Sequence, residues 1–540
     1  MSSWSQNYDP AHNILLSSAV AMLPILFFFI TLLVLRIKGY IASTLTVLLT
    51  SIIALAFYHM PVACIVASWG YGFLYGLWPI AWIILGAVFL YKLSVKSGYF
   101  EIIRKSIIAV TDDQRLQIIL VAYAFGAFLE GAAGFGAPVA ITTALLVGLG
   151  VSPIIAGGLC LLANAAPGAF GAMGIPVIVG GQVINTEPAL IAHQAMPSLA
   201  VISLAVPFIL VFIADGFRGL REVWLPTLVA AVTFAGVQTI VALYVGPELP
   251  DIAAALATLV VLPVFLRVWK PANKKVQTEQ KAAEQNVSAA EIMRAWAPFA
   301  VLTVCVAIWS SGPFKSLFKP DGALSWTSFT FRFPLLHDVI IKMPPVTPKP
   351  TPYHAFFQFD PISSVGTSIM LAAVLSTFIV KIKPAQAVSI FLETLKELLI
   401  PIYTIGTVLS FAFLANYSGV SATLALLFAS TGSFFVFLSP VLGWLGVFLT
   451  GSDTSSNALF GGLQAATGAQ IHVSGALLVA ANTVGGAVGK MISPQSIAVA
   501  CAAVNIVGKE GEILQFTLKW SLLLVGIVGL LVVGQTLLFN

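Results

Sequence analysis

The order of apolar and polar positions divides the chain into twelve apolar runs, roughly 13 to 35, 41 to 58, 72 to 94, 153 to 183, 196 to 214, 225 to 246, 251 to 268, 296 to 311, 364 to 382, 399 to 417, 472 to 505 and 514 to 537. A helix needs about 20 residues to cross a bilayer at about 1.5 Å each, so each run is a predicted crossing. Segments 97 to 115 and 384 to 397 alternate charge with apolar residues at helical spacing, which predicts helices lying flat on the inner surface. Residues 270 to 295 are charged without apolar periodicity and read as a linker between halves 1 to 269 and 296 to 540. Residues 312 to 362 hold nine prolines and several aromatics, which predicts a small ordered cap outside the membrane.

Two segments, 116 to 150 and 432 to 470, fit no single crossing, because each carries a Gly-rich break near its middle. In the first, the returning arm from Pro138 to Gly150 has 13 residues. That is about 20 Å of helix against a hydrocarbon core of about 30 Å. A re-entrant hairpin fits both. The two hairpins also resemble each other: Phe128, Leu129 and Gly131 match Phe448, Leu449 and Gly451 at an offset of 320. At an offset of 318, Asn164 matches Asn482, Gly168 matches Gly486, Gly171 matches Gly489 and Pro176 matches Pro494. Seven crossings separate the copies, so the predicted fold is an all-α polytopic membrane protein. It is an inverted repeat with two re-entrant hairpins, two broken transmembrane helices (153 to 183 and 472 to 505) and about twelve full crossings. Paired Gly/Pro-interrupted apolar segments in two halves point to the binding site of a secondary transporter.

Composition agrees: 59% of the 540 residues are hydrophobic and 9% charged, which excludes an ordinary soluble domain. Twenty of the 26 Lys and Arg fall in alternate loops, which places those loops inside and both termini outside. The net charge of +5 is therefore a topology signal and not a nucleic-acid footprint. Residues 13 to 35 follow no positive n-region and read as a first span instead of a cleaved signal. Four scattered cysteines and the absence of Cys/His ligand spacing suggest no metal site, and no cofactor motif is present.

Once charges are assigned to loops and interfaces, Glu130, Asp453 and Lys490 remain at membrane depth, all within or beside the repeated unit. Intramembrane charge is costly and marks function by default. Glu130 and Asp453 are the candidates for a coupling proton, and Lys490 for pairing with a substrate carboxylate. The tips around Gly131, Gly134 and Gly136, and around Ser452, Thr454, Ser455 and Asn457, would offer free amides and hydroxyls to an anion. Asn164, and Asn482 with Thr483, would lie at breaks in the two interrupted spans. Each group has an ordinary alternative: the acids as helix caps, Lys490 as a snorkelling surface lysine, the amides and hydroxyls as interhelical contacts.

The runs FLEGAAGFGAP, ITTALLVGLG, LLANAAPGAFGAMGIP and LTGSDTSSNALFGGLQ resemble the bacterial lactate permease family, and the resemblance covers nearly the whole chain. It implies import of L-lactate, D-lactate and glycolate by proton symport across the bacterial inner membrane. By analogy with other hairpin transporters it implies a homodimer. The partners are then a small organic anion, a proton and the lipid bilayer, with no nucleic acid. The rival readings are a sodium-coupled transporter of another small organic anion and, from a different class, a membrane-embedded enzyme. The enzyme would need a clustered nucleophile or acid set, which the sequence does not display.

Overall fold

The computed structural model describes residues 3–31, 35, 37–132, 134, 137–271, 288–506 and 508–539. Among them, nine helices are long and apolar enough to cross a membrane, or ten if Pro153–Ala163 and Gly168–Val183, bent by 66°, make one span. The described residues of all twelve predicted runs fall largely on helices. Runs 196 to 214 and 225 to 246 lie within the 57-residue stretch Pro188–Tyr244, as two helices on either side of a kink where Asp215, Gly216 and Val223 leave helical geometry. Ile14–Phe29, which continues in helical geometry to Thr31, and Val365–Ile379 are shorter apolar helices of 16 and 15 residues.

Two boundaries also differ from expectation. The segment 384 to 397 is no separate surface helix but the start of the 35-residue helix Pro384–Ser418, tied to the neighbouring span by Lys92 with Glu397 at 2.5 Å and Lys96 with Glu393 at 3.3 Å. The helix Ala289–Ser310 begins inside the predicted linker because Ser288 and Glu291 form a reciprocal capping box. Residues 272–287 of that linker lie outside the described residues. The cap contains two small sheets: Phe329–Arg332 pairs antiparallel with Phe356–Phe359, while Ile340–Lys342 pairs with Thr351–Pro352 and with Trp4–Ser5 near the N-terminus.

Burial separates centre from periphery. The arm Gln114–Ala132 is 94% buried and Gly475–Ile492 is 89% buried, against 33% for Pro250–Val268 and 39% for Gly39–Ala56. The outer helices turn leucine, valine and isoleucine outward, as a lipid solvent permits. At the centre, Ala137–Gly148 folds back on Ile119–Phe125 and Gly126–Ala132, and Asp453–Gln470 folds back on Phe434–Thr450. The second turn is made by Gly451 at φ 72°, a left-handed C-cap, followed by Ser452, whose side chain accepts from the Ser455 amide.

The two repeated spans break differently. In the first, the helix ends at Ala163, makes a 3-10 turn at Gly168–Phe170, and passes through left-handed Ala172, Met173 and Gly174. In the second, Gly475–Gly489 is continuous through Asn482–Gly486, where a break was expected, and gives way only at Lys490–Ile492. The copies differ at one residue that explains this. Pro167, lacking an amide hydrogen and clashing with the preceding turn, corresponds to Gly485, which keeps its amide and lets the helix run on.

Gly485 has a second reason to be glycine, since a Cβ there would run into the Pro440 carbonyl, and one at Gly489 would lie 2.5 Å from the Trp444 carbonyl oxygen. Small residues thus let Phe434–Thr450 lie directly on Gly475–Gly489. Gly485→Val is expected to destabilise the folded protein by about 1–3 kcal/mol. The readout is thermal unfolding in detergent, with Gly526→Ala, whose Cβ would enter open space, as the unaffected control.

Candidate functional site

Glu130 is 2% exposed at the end of the first hairpin's leading arm. Its carboxylate has two partners: Lys490 Nζ donates to Oε1, and Asn164 Nδ2 donates to Oε2 at 2.9 Å. Gly171 completes the cradle, because a Cβ there would sit 2.5 Å from Glu130 Oε1. Each partner comes from a place where a helix stops. Asn164 is the C-cap of Pro153–Ala163, and Lys490 follows the last turn of Gly475–Gly489. A helix C-terminus favours a cation by its dipole, so the break that ends Gly475–Gly489 also suits the lysine.

Asp453, 5% exposed, begins the second hairpin's returning arm. It packs against Gly486, one turn before Lys490, where any Cβ would collide with Asp453 Oδ1. Both hairpin tips therefore meet the same stretch of one helix, and Asp453 lies within electrostatic reach of Glu130 and Lys490. Among the described residues, neither Asp453 oxygen has a hydrogen-bond donor. Asn164 Oδ1 is likewise buried with no partner among them. Unmet acceptors of this kind each cost about 1–3 kcal/mol, so each calls for a partner such as a proton, an ion, a water or a substrate donor.

The remaining predicted residues divide into three groups. Asn457 Nδ2 donates to the Pro176 carbonyl and to Thr483 Oγ1, both at 2.8 Å. Asn482 Nδ2 donates to Asn457 Oδ1 at 2.8 Å, and Asn482 Oδ1 accepts from Gln464 Nε2 at 3.1 Å. These three side chains are committed to one another, and they clamp the second hairpin to the first broken span. Ser452, Thr454 and Ser455 are half-buried at the second tip. At the first tip, Gly131 abuts Asp251, and Gly134, at φ 58°, abuts Ala172. Gly136 lies outside the described residues.

One site residue escaped the charge census. Asp251 opens the helix Pro250–Val268 and reads in sequence as a boundary acid, but it is 1% exposed beside the first tip. Gln238 Nε2 donates to its Oδ1 at 2.9 Å and to the Ala166 carbonyl at 3.1 Å, while Ser203 Oγ donates to Gln238 Oε1 at 2.7 Å. A lone glutamine inside an apolar run was the available signal. Arg115, counted among the loop residues, is also buried. It bonds Asp113 at 2.8 Å, Asp215 at 3.0 Å and Glu222 at 2.5 Å where the long helix kinks.

The centre thus holds Glu130, Asp251 and Asp453 against one lysine, a formal −2 if every group is ionised, three carboxylates less one ammonium. Such a cluster needs cations or protons for balance. Towards the cap, a cavity of about 210 Å³ is lined by Gln6, Lys342, Tyr353, Asn416 and small residues of Asp453–Gln470. Lys342 Nζ lies 3.8 Å from the Tyr353 ring centroid, and burial lowers its affinity for a proton.

The family model described as L-lactate permease matches residues 17–539. The chain belongs to the L-lactate permease family. Among its relatives, this permease is 54% identical to the L-lactate permease of Escherichia coli K12, covering 99% of this chain and 98% of that one. It is 52% identical to Glycolate permease GlcA of the same organism, covering 100% and 99%. With the L-lactate permease of Bacillus subtilis 168 it shares 44% identity over 99% of each chain. The lactate permease family expected from the four motifs is thereby established.

Proposed function

We propose that this permease imports L-lactate, with D-lactate and glycolate as related 2-hydroxymonocarboxylates, by proton symport across the bacterial inner membrane. The observation that carries the coupling is the Glu130–Lys490 ion pair where the hairpin tip meets the second broken span. While Glu130 is ionised it occupies Lys490, and an incoming carboxylate finds no free cation. A proton on Glu130 releases Lys490, which then binds the substrate carboxylate. The substrate hydroxyl donates to Asn164 Oδ1, the acceptor that lacks a partner. On the other side, loss of the proton restores the Glu130–Lys490 pair and displaces the anion. Substrate and proton therefore move together, because the Glu130 and substrate carboxylates compete for one lysine and the proton removes the first competitor. Movement of the hairpins against the surrounding helices would supply alternating access.

The hydroxyl contact gives a specificity test. Asn164→Ala is expected to weaken lactate uptake about tenfold or more while changing uptake of propionate, which has no hydroxyl, much less. Competition assays in proteoliposomes decide it; equal losses for both acids would remove Asn164 from hydroxyl recognition.

Asp453 supports a second reading. Its two unpartnered oxygens beside the Thr450–Ser452 turn suit a sodium ion as well as a proton. Replacing sodium by choline at fixed proton gradient separates the readings: uptake that falls with sodium removal favours sodium coupling, and unchanged uptake favours the proton.

A further inference from the structure

We propose that the cap carries a binding site for a divalent transition-metal ion, formed by His337, Asp338 and His354. One ligand atom from each lies within 4.8 Å of the others. Asp338 stands between the two imidazoles, with Oδ2 3.2 Å from His337 Nε2 and Oδ1 2.7 Å from His354 Nδ1. Ligands held about 2.0–2.1 Å from a tetrahedral ion are about 3.3 Å apart. The first separation already has that value, and the second opens by rotation of the exposed His354 ring.

The orientation of His337 is the independent sign of a ligand. Its Nδ1 faces the Ala355 carbonyl at 3.2 Å, and its Nε2 faces Asp338. A metal-binding imidazole typically donates its other ring N–H to a carbonyl, which fixes the tautomer and leaves the second nitrogen's lone pair for the ion. The Ala355 amide also lies 3.1 Å from Nδ1, so the ring in its other tautomer can accept there instead. Metal binding would select the tautomer that donates to the carbonyl.

The backbone around the three residues is already assembled. The Phe333 amide donates to the Ala355 carbonyl at 2.9 Å, and the Asp338 amide to the Tyr353 carbonyl at 3.2 Å. His337 and His354, 17 residues apart in a proline-rich loop, are brought together by these cross-connections. No spacing rule would have found them. The Phe356 ring covers one side of His337 at 4.3 Å between centroids, and the Phe356 carbonyl accepts from Tyr71 Oη at 2.8 Å and Tyr75 Oη at 2.9 Å. The site is thus anchored to the span Val62–Lys96.

Two imidazoles and one carboxylate suit zinc, cobalt, nickel or copper, while magnesium and calcium prefer all-oxygen sets. The exposure of Asp338 and His354 leaves room for water to complete the coordination. A bound ion would join the two loop segments that present Lys342 and Tyr353 to the 210 Å³ cavity.

The test uses the full chain, purified without a histidine tag and stripped with EDTA. Co²⁺ is then titrated and followed by its visible d–d absorption, and Zn²⁺ retained after gel filtration is counted by mass spectrometry. One ion per chain is expected, with affinity reduced about tenfold or more in both His337→Ala and His354→Gln. His193→Ala should bind as the unaltered protein does. His354 is 60% exposed, so its glutamine variant should keep the fold, and its melting temperature without metal verifies this. Absence of a retained ion in the unaltered protein, or equal binding by His354→Gln, would overturn the site.

Discussion

Proteoliposomes carrying Glu130→Gln are expected to exchange labelled lactate across the membrane but not to accumulate it against a gradient. Glutamine keeps the shape of a protonated glutamate and can still accept from Asn164, yet it cannot neutralise Lys490. The lysine then stays available to lactate at every pH, so binding and exchange survive. What disappears is the obligation to carry a proton. With lactate and one proton moving together, an inward gradient of one pH unit sustains about a tenfold accumulation, equivalent to about 1.4 kcal/mol. In Glu130→Gln that ratio should fall to about one while counterflow stays within a few-fold of the unaltered rate. Loss of both activities would make Glu130 a structural residue. Retention of both would move the proton to Asp453 or Asp251.

Lys490→Gln should do more damage, to the fold as well as to transport. The Glu130 and Lys490 side chains are 3% and 12% exposed, so removing the ammonium leaves a carboxylate buried with Asn164 as its remaining partner. Breaking a buried pair from one side costs about 3–5 kcal/mol, whereas replacing both partners is often nearly neutral. Lys490→Gln should therefore unfold at distinctly lower temperature, and Glu130→Gln/Lys490→Gln should recover most of the loss without recovering lactate uptake. A double variant as unstable as Lys490→Gln would mean that some other contact of Lys490 carries the stability.

Much of this arrangement was legible in the chain because the bilayer restricts what a sequence can do there. Glu130 and Lys490 could be found by elimination, since so few charges lie in apolar runs, and the repeat placed them in related units. That they touch was not legible. It depends on Gly171 admitting the carboxylate and on the second span continuing to Gly489, which was expected to break at Asn482. Proline and glycine both signal interruption in a sequence, but Gly485 serves close packing against Pro440, and Pro167 alone breaks its helix. Nor does any local pattern show that Asn457, Asn482 and Thr483 hydrogen-bond to one another and to Pro176, Gln464 and Val479. Asp251 was overlooked because an acid following a proline looks like an ordinary helix start, and nothing local reveals that the first hairpin tip covers it.

Proton uptake on substrate binding tests the competition for Lys490 most directly. Calorimetric titration of purified protein with lactate, repeated in buffers of different ionisation enthalpy, counts the protons taken up per lactate bound. Near neutral pH the unaltered protein should take up close to one proton, and Glu130→Gln, binding lactate, should take up none. Binding without proton uptake in the unaltered protein, or the same uptake in Glu130→Gln, would contradict the account.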